Sequence, residues 1–72
     1  MNTHDAAVSA LAPFALNGIL ATSAQVELRQ EGRWIAEASG SSVAWLAGLA
    51  DELADFGAVR IVAIPSREVL FS

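Results

Sequence analysis

Gln25-Val26-Glu27-Leu28-Arg29-Gln30-Glu31-Gly32-Arg33-Trp34-Ile35-Ala36-Glu37-Ala38 is the stretch on which the fold turns. Apolar and polar residues alternate on both sides of Gln30-Glu31-Gly32, which predicts a hairpin over 25–38. Two registers compete. A two-residue Glu31-Gly32 loop sets Leu28 opposite Ile35 but Val26 opposite Glu37. A three-residue loop with Gly32 in the left-handed region sets Leu28 opposite Trp34 and Val26 opposite Ala36. The second gathers Ala24, Val26, Leu28, Trp34, Ala36 and Ala38 on one face and Gln25, Glu27, Arg29, Arg33 and Glu37 on the other. A one-residue slip moves every side chain to the opposite face, so this segregation favours the three-residue loop. It predicts Trp34 in the sheet–helix core, and Arg29 and Arg33 in surface ion pairs with Glu27 and Glu37, each worth little.

Downstream, Ser39-Gly40-Ser41-Ser42 reads as a linker ending in helix-capping residues, and a helix is expected over 43–56 with Gly57 just past its end. At 100° per residue its apolar arc is about 200° wide, more than one face of a small sheet requires. Residues 58–64 form a strand apolar on both faces, Val59, Ile61 and Ala63 against Val62 and Ile64, as in a central strand. Pro65 ends it, and 69–71 return as a short strand. Upstream, a helix is expected over 4–16, capped by Asn2 or Thr3, kinked or restarted at Pro13 and stopped by Asn17-Gly18. Residues 19–23 fit either a helical tail or the start of a strand. The expected fold is α+β in the order α-β-β-α-β-β, one domain over 1–72. Its small antiparallel or mixed sheet carries the 43–56 helix on one face, with the strand order open.

Composition narrows the function. At 72 residues the core is small, and such scaffolds are usually supplemented by disulfides, metals or partner subunits. There is no Cys and a single His, His4, so disulfides and thiolate or imidazole metal sites are not expected, and neither is a cofactor. The apolar fraction of 54% points to association with a second copy or a protein partner. A net charge of −4, with four scattered arginines and no lysine, argues against direct nucleic-acid binding. The apolar stretch 11–21 is too short to span a membrane, no basic leader is visible, and a cytoplasmic location is expected.

No constellation for catalysis stands out. A serine nucleophile would have only His4 as base, and the loop at Ser39–Ser42 lacks the glycines and lysine of a phosphate cradle. No enzyme activity is expected. Two surfaces of the 43–56 helix are singled out instead. Val43, Ala47, Ala50 and Ala54 form a small-residue shoulder which, with Trp45 at its edge, is a candidate self-association interface. Asp51, Glu52 and Asp55 lie in the C-terminal half, where the helix dipole disfavours negative charge, and Asp51 and Asp55 repel at i,i+4. An arrangement that costs stability marks a candidate acidic docking patch.

Glu31-Gly32, the outgoing Ile35-Ala36-Glu37-Ala38, the helix Val43-Ala44-Trp45-Leu46-Ala47-Gly48-Leu49-Ala50 and the strand Val59 to Ile64 together resemble the Roadblock/dynein light-chain family. Members of that family are usually longer, with a further strand and a C-terminal helix. The resemblance implies a homodimer that pools its strands into one sheet and scaffolds or regulates a small GTPase. The expected function is therefore a non-enzymatic protein–protein interaction module, self-associating, acting as scaffold or regulator. The alternative is a small phage-type inhibitor, an anti-CRISPR or other anti-defence protein, whose acidic surface docks on a basic host target.

Overall fold

The computed structural model describes residues 2–72. In chain order it contains α1 (Thr3–Leu11), a 3-10 turn (Ala12–Phe14), β1 (Ala15–Leu16), β2 (Ile19–Gln30), β3 (Arg33–Ser42), α2 (Val43–Leu53), β4 (Val59–Ala63) and β5 (Val69–Phe71). The chain is α+β, with all five strands in one antiparallel sheet and the helices against one face. β2 is the spine: β3 pairs along one edge and β4 along the other, with β5 outside β4 and the short β1 on the first residues of β2. No helix among the described residues is long and apolar enough to cross a membrane.

The N-terminal expectation needs correction. Asn2 does cap α1, its side chain accepting from the Asp5 amide at 2.8 Å. The helix ends at Leu11, because Pro13 lacks the amide that would continue the hydrogen-bond ladder, and a 3-10 turn follows. Asn17-Gly18 does not stop a helix. With φ of 54° and 80° it closes a two-residue hairpin that pairs Leu16 with Ile19. Residues 19–23 are strand, which makes β2 twelve residues long.

The hairpin register is also corrected. Glu31 and Gly32 both have positive φ, 52° and 77°, so the loop has two residues, pairing Gln30 with Arg33, Arg29 with Trp34 and Leu28 with Ile35. The apparent conflict of Val26 with Glu37 is removed by a bulge. Glu27 pairs with Ala36, but Val26 pairs with Ala38, so Glu37 is the extra residue. Trp34 therefore shares a face with Arg29 and Glu27, away from the helices. Ser39-Gly40-Ser41-Ser42 is no linker either, since it continues β3 up to Ser42, whose hydroxyl caps α2 by accepting from the Trp45 amide at 3.3 Å.

Helix α2 stops at Leu53, three residues short of the expected end. Gly57 is required by a close approach rather than by a helix cap, because a Cβ there would stand 2.9 Å from the Arg29 carbonyl oxygen. The core lies between helices and sheet: Ala7 and Leu11 of α1, Leu46, Ala47 and Ala50 of α2, and Ala24, Val26 and Ile61 of the sheet are wholly excluded from solvent. Each large apolar side chain buried this way stabilises the fold by about 1.5–3 kcal/mol.

Glu31 occupies a left-handed position that costs a non-glycine residue roughly 1–2 kcal/mol, less for Asn. Glu31→Asn is expected to stabilise the chain by about 0.5–1 kcal/mol, measured as a higher urea midpoint with unchanged slope.

Candidate functional site

The shoulder proposed for self-association is consumed inside the molecule. Val43, Ala47 and Ala50 belong to the buried core, and Ala54 packs against it half-buried. Their small size suits the close approach of α1 to α2. Trp45 has a different fate. It turns toward β3, where its ring packs over Gly40 so closely that a Cβ there would lie 3.1 Å from the ring, and it stays 48% exposed. Because α2 runs back beside β3, Phe56 comes next to Ile35 at the far end, 71% exposed, and both border the same hollow with Arg33. Trp45, Ile35 and Phe56 thus mark an apolar border along β3, whose outer edge pairs with no strand among the described residues.

The acidic cluster stays at the surface, with one member engaged by the neighbouring helix. Asp51, Glu52 and Asp55 are all exposed, but the Asp51 carboxylate accepts from the His4 backbone amide at 3.3 Å. That amide lies in the first turn of α1, whose orphan donors and positive dipole end favour an anion. Asp51 therefore opposes the dipole of its own helix while serving that of its neighbour. Glu52 borders a shallow groove with Trp45 and Leu49. Asp51→Ala is expected to destabilise the chain by about 0.5–1 kcal/mol, whereas Glu52→Ala leaves the thermal midpoint within error.

The opposite face of the sheet carries a cluster that no expectation named as a site. Glu27 is only 3% exposed. Its Oε1 accepts from Arg60 Nε at 2.6 Å, and its Oε2 accepts from Gln25 Nε2 at 2.6 Å and Arg67 Nη2 at 3.0 Å. The Arg60 guanidinium lies 4.3 Å from the centroid of the Trp34 ring, and that of Arg29 5.5 Å from it. The expected pairing of Arg29 and Arg33 with Glu27 and Glu37 is thus replaced by Arg60 and Arg67 on Glu27. Val62, on the same face, is almost completely buried although no helix covers that side. Among the described residues no buried side-chain polar atom lacks a hydrogen-bond partner. One signal was available: Arg60 interrupts an otherwise apolar central strand, and a charge in that position demands a carboxylate beside it.

Burial pushes the Glu27 carboxyl toward a higher pKa, but hydrogen bonds from Arg60, Gln25 and Arg67 together with the Arg60 charge outweigh it, and the net direction is down. A carboxylate with a depressed folded pKa stabilises above its unfolded pKa and loses that contribution as pH falls through the folded value. Glu27→Gln is expected to cost about 2 kcal/mol at pH 7, below the roughly 3–5 kcal/mol of a fully buried pair because Arg67 is half in solvent. In urea titrations the gap between wild type and Glu27→Gln should narrow as the pH is lowered through the acidic range.

Comparison with protein-family models, curated proteins and solved structures finds no match to this chain.

Proposed function

We propose that this protein is a non-enzymatic interaction module that self-associates through the border formed by α2 and β3, acting as a scaffold or regulator in the cytoplasm. The observation that carries the reading is the row of Trp45, Phe56 and Ile35 beside a strand with one unpaired edge. Each is large, apolar and at least one-third exposed, and a chain this small gains most from covering them. An antiparallel edge is complementary to itself about a two-fold axis, so a second copy suits it without any further design. The first half of the edge carries Arg33, Glu37 and the bulge, devices that discourage indiscriminate pairing. From Ala38 to Ser42 the edge is uncharged, and Trp45 packs beside it over Gly40. The Roadblock-like pattern would likewise imply a homodimer, but the proposal rests on this border. The inhibitor reading rests on Asp51, Glu52 and Asp55, of which Asp51 also serves the first turn of α1, and it is not adopted.

Sedimentation equilibrium on the full chain should give a dimer at micromolar concentration. Phe56→Lys and Trp45→Lys should each shift it toward monomer by about tenfold or more in dissociation constant, with the circular dichroism spectrum retained. A wild-type chain that is monomeric up to hundreds of micromolar overturns the proposal.

A further inference from the structure

We infer that the outer face of the sheet, around Trp34 and Arg60, is a docking site for a carboxylate-rich peptide segment of a partner protein. This surface is separate from the α2–β3 border, and either proposal can fail without the other.

Charge is the first argument. Three of the four arginines, Arg29, Arg60 and Arg67, gather on or beside this face of a chain whose net charge is −4. The acid that joins them, Glu27, is buried and has both oxygens occupied. Two guanidiniums, Arg60 and Arg67, share this one carboxylate, and Arg29 adds a third cation beside them. Arg29 forms no ion pair with any carboxylate among the described residues. The helical layer is the reverse: α1 and α2 carry Asp5, Asp51 and Glu52 and no arginine. An acidic segment is thus repelled by one side of the molecule and drawn to the other.

Preorganisation is the second. Arg60 is held from below through its Nε by Glu27 and lies over the Trp34 ring. Its two terminal amino groups donate to no protein acceptor among the described residues, so they form a positioned fork, the geometry that takes a carboxylate in bidentate fashion. Arg67 reaches Glu27 from a left-handed backbone position, φ 66°, which costs a non-glycine residue roughly 1–2 kcal/mol. That conformation is held by the turn after β4, where the Arg67 amide donates to the Ala63 carbonyl at 2.8 Å, and by the contact with Glu27.

Carboxylates are favoured over nucleic acid. A base would need an open aromatic face to stack on, and both Arg60 and Arg29 stand over Trp34, the one tryptophan of the sheet. A long polyanion would also meet the net negative charge of the whole chain, which a short acidic segment lying on this face avoids.

The test is a titration of the ¹⁵N-labelled full chain with acetylated hexaglutamate, followed by NMR. Saturable shifts are expected at the Arg29, Arg60 and Arg67 Nε–H and the Trp34 indole N–H, while amides of α1 and α2 stay in place. Arg29→Gln, which removes no ion pair, should weaken binding by about tenfold with the amide spectrum of the core unchanged; Arg67→Gln should weaken it likewise with the circular dichroism spectrum retained, and added salt should weaken the wild type. The inference is overturned by an absence of saturable shifts, by equal binding to both variants, or by an oligothymidylate of equal charge binding more tightly than the peptide.

Discussion

The pairing of β2 with β3, closed by Glu31 and Gly32 in the left-handed region, is the constraint from which both surfaces of this molecule follow. Side chains alternate across a strand, so the length of that turn decides which residues of β3 face the helices. Two residues in the turn send Trp34 and Ala36 outward with Arg29 and Glu27. The bulge at Glu37 then resets the alternation, returning Ala38 and Gly40 to the helix side. Without that reset, no glycine would lie beneath Trp45, and a Cβ in its place would push the ring away from β3.

One face of the sheet is covered by two helices and the other by nothing but its own side chains. Glu27, Arg60, Arg67, Gln25 and Trp34 perform that second task. Their arrangement explains how Val62 is buried on a face with no second layer. Desolvating a carboxylate opposes folding, and three donors with two cations offset it here. An apolar cluster could cover the same area, but it would not hold arginines in position. The geometry that stabilises the sheet is therefore also what prepares this face for anions.

The helical layer shows how a local cost can disappear in three dimensions. Within α2 alone, Asp51 sits at the unfavourable end of the dipole. The antiparallel packing of α1 beside α2 brings the first turn of α1 to the same point, and the carboxylate serves an amide there. The small residues Val43, Ala47 and Ala50 are the other half of that packing, buried in the core where the two helices meet. What stays outside is Trp45 and Phe56, pushed toward the unpaired edge of β3.

Periodicity and capping carried the fold class a long way. Alternation in 25–38, the helical spacing after Ser42, the capping by Asn2 and Ser42 and the two-sided apolar strand at 59–63 are local patterns, and each depends on neighbours within a few residues. Asn17-Gly18 was legible too, as a hairpin turn, but flanking apolar residues suit helix and strand alike. The Glu31-Gly32 turn was harder, because Glu is an uncommon occupant of a left-handed position and a bulge leaves no compositional mark. Glu27 with Arg60 and Arg67 was beyond local reasoning: these residues stand 33 and 40 positions apart, and only the pairing of β2 with β4 and the turn after β4 bring them together. The sequence by itself determined the capped starts of both helices, the hairpin within 25–38 and the strand at 59–63, and that the chain is acidic and rich in apolar side chains. Tertiary structure alone decided which of those side chains are spent in the core and which remain on a surface, since that depends on strand register and helix docking, properties of contacts between distant segments.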